Sequence, residues 1–179
     1  WFLEGVERND RFCLEGYLFP NTYDFYEHDD PERVLKKMLS TFDVRFTDTM
    51  RQDLVTLNNR IEDDLRNRGY GMDFIEQNKF TVREVVIVAS LIEKETANNL
   101  ESFTISSVIY NRLTNPGKYP YLNIDATLVY ALGGRTELTD QDKQVDSPYN
   151  TYKEKGLPPG PIASPSQNSL AAALQPEET

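Results

Sequence analysis

The run from Thr81 to Glu93 constrains the fold of this chain most strongly, because it predicts a helix that is apolar over nearly its whole length. Thr81-Val82-Arg83-Glu84 is an S/T-x-x-E capping box, in which a hydroxyl and a carboxylate each satisfy a backbone amide of the first helical turn. Every residue from 85 to 92 is apolar except Ser90. This helix is therefore expected to form an apolar wall that ends in an acidic residue.

The acidic residue at the end of this helix is predicted to point inward. Val82, Val86 and Ala89 share one face at 3.6 residues per turn, and Glu93 continues that face, whereas Glu95 points to nearly the opposite side. Burial disfavours a charged carboxylate, so we expect the pKa of Glu93 to be raised. A carboxyl group that stays protonated near neutrality suits general-acid chemistry on a glycosidic oxygen. The alternatives are a buried Glu paired with an Arg and an exposed Glu at a frayed helix end.

Composition sets the broad class of protein. The chain has 179 residues, 39% of them hydrophobic and 27% charged, which is typical of one globular domain with a sizeable core. A net charge of −10 argues against a nucleic-acid partner. No run of eighteen apolar residues is present, so nothing in the sequence is expected to span a bilayer, and the chain itself is expected to be soluble. It begins at Trp1 rather than Met, so we interpret it as part of a longer protein.

Several kinds of site find no support in the sequence. Cys13 is the single cysteine, which excludes an internal disulfide and a cysteine-rich zinc site. His28 is the single histidine and lies in a polar stretch, where we expect it to be exposed. Gly133-Gly134 lacks the lysine and the spacing of a phosphate-binding loop. We therefore expect neither a metal nor a cofactor.

The order of elements predicts an α+β fold that is helix-dominant, with short strands and a Pro/Gly-rich groove loop. Residues 11–26 are aromatic and interrupted by Gly16 and Pro20, which favours short extended pieces. Proline excludes regular helix from residues 156–161, so segment 157–162 is expected to form a rigid groove wall.

Four helices besides the central one have readable starts or periodicity. Asp30-Pro31 predicts a helix start, and an interruption near Thr47-Asp48 divides its apolar stripe into two helices or one bent helix. An amphipathic helix is predicted over 103–113, and Asp125 is expected to cap a short helix that ends at Gly133-Gly134. Ser164-Pro165-Ser166-Gln167 is an S-x-x-Q capping box, which predicts the start of the last helix.

Six sequence blocks occur in a fixed order along the chain. They are Glu15-Gly16-Tyr17-Leu18-Phe19-Pro20-Asn21-Thr22-Tyr23, Ala89-Ser90-Leu91-Ile92-Glu93-Lys94-Glu95-Thr96, Val108-Ile109-Tyr110-Asn111-Arg112-Leu113, Ile124-Asp125-Ala126-Thr127-Leu128-Val129-Tyr130, Tyr149-Asn150-Thr151-Tyr152 and Gly156-Leu157-Pro158-Pro159-Gly160-Pro161-Ile162. In these blocks and their order the chain resembles the catalytic domain of the YceG-like family of endolytic murein transglycosylases. On this basis residues 1–179 are interpreted as a fragment of that catalytic domain, and residues 1–26 as the end of, or the link to, an N-terminal subdomain.

The resemblance implies a reaction and a set of site residues. Its catalytic glutamate falls on Glu93, which would first protonate the bond between N-acetylmuramic acid and N-acetylglucosamine and then act as base, leaving 1,6-anhydro ends. Glu95 is expected to be structural and to pair with Arg112. The alternative roles of the candidate substrate-binding residues are turn capping and loop packing. Those candidates are Asn150, Tyr152, Asn111, Arg112, Asp125 and Tyr23.

The resemblance also implies a place and partners. It predicts the extracytoplasmic face of a bacterial cell membrane, an N-terminal membrane anchor that this chain lacks, peptidoglycan strands as substrate, and partners in the peptidoglycan synthesis machinery. Two other functions stay open from the residues. One is a muramidase-type hydrolase in which Asp125 or Glu15 activates water, and the other is a non-catalytic cell-wall glycan-binding or scaffold module.

Overall fold

The structure is a computed structural model that describes residues 1–6, 12–96, 98 and 100–177. Over these residues the regular elements are helices, with a 3-10 turn at Asp142–Gln144 between the last two. None of the described helices is both long and apolar enough to cross a membrane. The helices are α1 (Pro31–Arg45), α2 (Asp48–Asn67), α3 (Met72–Gln77), α4 (Val82–Glu95), α5 (Ser102–Leu113), α6 (Asp125–Ala131) and α7 (Gln167–Leu174).

The prediction of an α+β fold is wrong, because no strand occurs in the described ranges. Residues 12–26 instead form turns and irregular backbone, and residue 11 of the predicted strand region lies outside the described part. Of the aromatic residues in this segment, Tyr17 and Phe19 are buried without strand pairing, whereas Phe12, Phe25 and Tyr26 are exposed. Tyr17 is fully buried, with its ring 5.4 Å from that of Phe42 on α1. β-propensity measures how well a side chain fits a half-buried surface, and here helices supply that surface.

The core is built around α4. Every residue of α4 from Val85 to Ile92 is buried, as the capping box and the apolar run predict. This helix packs most extensively against α7 and also contacts α5 and α6. Ala172 and Ala173 on α7 are fully buried, and their small side chains allow the two helix backbones to approach closely.

Most predicted helix starts are confirmed. The Thr81–Glu84 capping box is formed in full. Asp30 caps α1 by accepting a hydrogen bond from the amide of Glu32 at 3.0 Å, with Pro31 at the first helical position. Thr47 caps α2, so the apolar stripe belongs to two helices.

Two predicted caps are wrong. Asp125 is the first residue of α6 rather than its N-cap, which is Ile124, and its carboxylate accepts a hydrogen bond from the Tyr152 hydroxyl instead of capping the helix. The last helix begins after Ser166 rather than Ser164, and Ser166 accepts the amide of Ser169 at 3.3 Å.

The Pro/Gly-rich loop is held along α4, from its first turn to Ser90. Arg83 donates a hydrogen bond to the carbonyl of Pro159 at 2.6 Å, and Ser90 Oγ accepts the amide of Ile162 at 3.0 Å. At Gly16 the N-terminal segment meets both elements. A Cβ at this position would lie 2.6 Å from Pro161 Cγ and 2.7 Å from Val86 Cγ1, and Gly16 has a φ of +86°. Only glycine fits this junction without strain.

We predict that Gly16→Ala destabilises the protein by about 2–4 kcal/mol, because it adds a steric overlap to the strain of a positive φ. Gly69→Ala is the matched control, since Gly69 has a φ of +85° with open space around its Cβ position. For the control, the free energy of unfolding is expected to fall by only about 1 kcal/mol. Urea unfolding of both variants measures the difference, and equal losses would contradict the crowding at Gly16.

Candidate active site

Glu93 lies in the last turn of α4, half-buried and directed at α7, so the inward direction predicted for it is confirmed. One oxygen of its carboxylate, Oε2, accepts three hydrogen bonds. The donors are the amide of Ser166 at 2.9 Å, the hydroxyl of Ser166 at 2.7 Å and the hydroxyl of Ser169 at 2.7 Å. Ser166 is the N-cap of α7, so the carboxylate lies at the N-terminus of that helix, where a negative charge is favoured.

The prediction of a raised pKa for Glu93 is wrong. Burial acts to raise the pKa of this carboxyl, but the hydrogen bonds from Ser169 and Ser166 outweigh it and the pKa is lowered, with a small further contribution from Lys94. Donors to the charged form favour that form. The carboxylate is therefore satisfied by serines, and the pairing with an arginine that we considered as an alternative does not occur among the described residues.

Glu95 lies on the opposite side of α4, as predicted, and is exposed. Its carboxylate accepts the amide of Ala126 at 3.3 Å, which joins the end of α4 to the start of α6. The predicted pairing of Glu95 with Arg112 is wrong. Arg112 instead donates hydrogen bonds to the backbone carbonyls of Tyr121, at 3.2 Å, and Leu122, at 2.8 Å.

A cleft of about 700 Å³ opens between the end of α4, helix α6 and the N-terminal segment. Its walls combine apolar side chains, two aromatic rings and three carboxylates with one lysine. Lys94 and Glu95 line the cleft, whereas Glu93, which directly precedes them in the same helical turn, is not among the lining residues. The lining residues are Phe12, Glu15, Lys94, Glu95, Asp125, Ala126, Val129, Tyr130, Gly133, Gly134, Thr136 and Ile162.

Two carboxylates at the cleft are each held by a tyrosine hydroxyl. Tyr130 donates to Glu15 at 2.6 Å and Tyr152 donates to Asp125 at 2.6 Å. Burial and the neighbouring carboxylate raise the pKa of Tyr152 to about 12, and the same two causes raise the pKa of Tyr130. Both phenols therefore stay protonated and act as donors at neutral pH. Each bond orients a carboxylate and leaves it capacity to accept further donors.

The predicted substrate-binding residues divide between the cleft and other parts of the molecule. Asp125 and Tyr152 come together at the cleft. Asn150 is fully buried, and its amide donates to the carbonyls of Lys143 at 3.0 Å and Val145 at 2.8 Å. These contacts assign Asn150 to holding the loop that carries Tyr152.

The other three candidates lie elsewhere. Asn111 is exposed on α5, beside a separate depression lined by Arg60 and Asp64. The guanidinium of Arg112 is bound to backbone carbonyls. Its positive charge partly opposes the rise in the pKa of Tyr152. Tyr23 donates its hydroxyl to the carbonyl of Phe19 at 2.7 Å. The predicted groove wall contributes Ile162 to the cleft.

Sequence reasoning missed Ser169 and the contact of Ser166 with Glu93. The only signal was the position of Ser166 in a helix-start box, which says nothing about what the helix end faces. Tyr130 belongs to one of the six blocks, but nothing in the sequence indicates its contact with Glu15.

Residues 4–179 match the model of the YceG-like family. The chain belongs to that family. It is 36% identical over 174 residues to the endolytic murein transglycosylase of Bacillus subtilis (strain 168), an alignment that covers 96% of this chain and 41% of that protein. It is 32% identical over 170 residues to the endolytic murein transglycosylase of Streptococcus pneumoniae (strain ATCC BAA-255 / R6). That alignment covers 92% of this chain and 26% of the pneumococcal protein.

A solved structure has the same fold. The crystal structure of a YceG-like protein from Listeria monocytogenes superposes with a TM-score of 0.75 at 35% identity, covering 97% of this chain and 49% of that one. The chain thus spans less than half the length of these relatives.

We predict that acid removes the stabilisation that Glu93 provides. Its folded-state pKa lies below the ordinary 4.5, so this stabilisation is fully present above pH 4.5 and is lost as the pH falls through the folded-state value. At pH 7 Glu93→Gln is expected to be less stable by about 1–2 kcal/mol, because the serine hydrogen bonds lose their charge assistance. Urea unfolding across a pH series measures the difference in free energy of unfolding between the unmodified protein and Glu93→Gln. This difference is expected to become smaller on acidification. Glu95→Gln is the control, and a difference for Glu93→Gln that is constant with pH contradicts the prediction.

Proposed function

We propose that the protein cleaves peptidoglycan strands as a lytic transglycosylase, with Glu93 as its general acid and then its general base. The observation that carries the proposal is the anchored, half-buried carboxylate of Glu93, in the helical turn whose next two residues line a cleft that can hold glycan. Membership of the YceG-like family and relatives named endolytic murein transglycosylase support the reaction class. Because the chain covers only part of those relatives, the activity of the whole protein is part of the proposal.

The reaction needs one carboxyl group. Glu93 gives its proton to the oxygen that bridges N-acetylmuramic acid and N-acetylglucosamine, and the bond from that oxygen to C1 of the muramic acid breaks. The muramic acid 6-hydroxyl attacks C1 as Glu93 takes the hydroxyl proton, which closes the 1,6-anhydro ring and restores the acid. No water is consumed. The attacking hydroxyl belongs to the substrate and is held at high effective concentration, so no second carboxylate has to activate it.

Glycan binding favours the protonated form of Glu93 that the first step requires, and the proton itself is taken up from solvent. At neutral pH the resting carboxylate of Glu93 is ionised, because its pKa is lowered. A strand that covers the open side of the carboxylate displaces water, and this desolvation favours the neutral form. The residues of α7 thus hold the group in place, and the substrate itself promotes its protonation.

The cleft supplies the groups that sugars require. The ring of Tyr130 and the side chains of Val129 and Ile162 offer apolar faces, while Asp125 and Glu15 accept hydrogen bonds from sugar hydroxyls. Because Tyr152 and Tyr130 hold these carboxylates, little rotamer freedom is lost on binding. Asp125 and Tyr152 are therefore the substrate-binding pair that we favour.

Product analysis tests the reaction. We predict that the purified protein releases fragments with 1,6-anhydro ends from peptidoglycan, and that Glu93→Gln lowers the rate at least about a hundredfold in a folded protein, because an amide cannot donate the proton. Mass spectrometry of the digest measures both. Reducing ends would show hydrolysis instead, with water activated by Asp125 or Glu15. Unchanged binding of glycan without any cleavage by the unmodified protein would show a binding module.

A second prediction concerns the cleft. Tyr152→Phe frees the Asp125 carboxylate from its hydroxyl donor, so we expect KM for glycan to rise about tenfold, equivalent to about 1.4 kcal/mol, with a smaller change in kcat. Tyr23→Phe is the matched control. It also removes one phenol hydroxyl, but that hydroxyl is bound to the backbone of Phe19. Steady-state kinetics on soluble glycan strands compares them, and an equal effect of both variants would place glycan outside the cleft.

A further inference from the structure

We infer that Ser166 and Ser169 anchor Oε2 of Glu93 and thereby make Oε1 the oxygen that gives and takes the proton. This inference rests on the proposed glycan cleavage and assigns positioning roles to two serines. They act through Glu93 and not on the substrate.

The assignment follows from counting donors. Oε2 accepts one backbone amide and two hydroxyls, each within 2.9 Å. A proton placed on Oε2 would meet the hydrogens of these donors, so protonation there would break at least one of the bonds. No hydrogen bond from a described residue reaches Oε1, since the bonds that Glu93 accepts from these residues all end on Oε2. The proton therefore belongs on Oε1.

The anchor is rigid because it is part of the core. Ser166 and Ser169 are three residues apart at the start of α7, so their hydroxyls lie on the same side of the helix. Ser169 is 2% exposed, and Leu170, Ala172 and Ala173 behind it are fully buried. The contact of α7 with α4 thus fixes Oε2, which in turn fixes the direction in which Oε1 points.

The arrangement also shifts the balance between the two halves of the reaction. Donors to a carboxylate stabilise its charged form, so they make the protonated group a stronger acid and the ionised group a weaker base. Protonation of the glycosidic oxygen therefore gains from the two serines. The second half-step depends less on base strength, because the 6-hydroxyl loses its proton while it attacks C1.

Ser169→Ala is the variant that tests the inference. We expect the titration of Glu93 to move to higher pH, as followed by NMR of protein labelled with ¹³C at its glutamate carboxyls and assigned with Glu93→Gln. The alkaline limb of the pH profile of kcat/KM is expected to move up by roughly half a pH unit, because more of the carboxyl is protonated at a given pH. KM should change little, since the buried Ser169 does not face glycan.

Two further variants separate positioning from packing. Ser169→Thr keeps a hydroxyl and is expected to restore the titration and the pH profile. Ser106→Ala is the matched control, because Ser106 is also fully buried on a helix and its hydroxyl has no partner among the described residues. It should leave both readouts unchanged. Should Ser169→Ala fail to fold, Ser166→Ala removes one hydroxyl donor and keeps the backbone donor.

The outcomes distinguish this inference from the proposed function. An unchanged titration of Glu93 in Ser169→Ala overturns the anchor. If the titration of Glu93 moves but the pH profile of kcat/KM does not, Glu93 is not the group that gives and takes the proton during cleavage. If the protein leaves glycan intact while the titration still moves, the proposed function fails and the anchoring of Oε2 stands.

Discussion

The contact between α4 and α7 is the interaction on which the rest of the structure depends. Because α4 is apolar on nearly every side, it has to be covered, and the alanines of α7 let the second helix approach it closely. This approach places the N-terminus of α7 against the last turn of α4. The Glu93 carboxylate then meets the amide and hydroxyl donors of Ser166 and Ser169, so the packing of the core also sets the chemistry of the site.

Two opposed physical effects act on Glu93. Half-burial removes water from the carboxylate and disfavours its charge, while three donors and the end of α7 favour that charge. The three hydrogen bonds together outweigh burial, and all three are directed at one oxygen. The other oxygen is left for a reacting group, so a lowered pKa is compatible with acid chemistry once substrate excludes water.

The neighbouring cleft depends on a second set of constraints. Gly16 allows the N-terminal segment to touch both Pro161 and Val86, a contact that any larger residue would prevent. This contact brings Glu15 to within hydrogen-bonding distance of Tyr130 on α6. Glu95 ties α6 to the end of α4 through the amide of Ala126. Three elements that are distant in sequence therefore line one cleft at the end of α4, next to the turn that carries Glu93.

The sequence by itself determined what depends on neighbours along the chain. The capping box at Thr81, the cap at Asp30, the break at Thr47 and the inward direction of Glu93 all follow from periodicity and from contacts within one helical turn, and six ordered blocks indicated the family. The extended pieces predicted over 11–26 were wrong, because rings such as Tyr17 are buried against helices rather than in a sheet.

Only the tertiary structure decided the environment of the site. Ser166 and Ser169 are 73 and 76 residues from Glu93, and Tyr152 is 27 from Asp125, so no local pattern announces either contact. The pKa of Glu93 was predicted in the wrong direction for this reason. Burial can be inferred from a helical face, because it depends on neighbours along the chain. The donors that offset the effect of burial on the pKa lie on a helix distant in sequence.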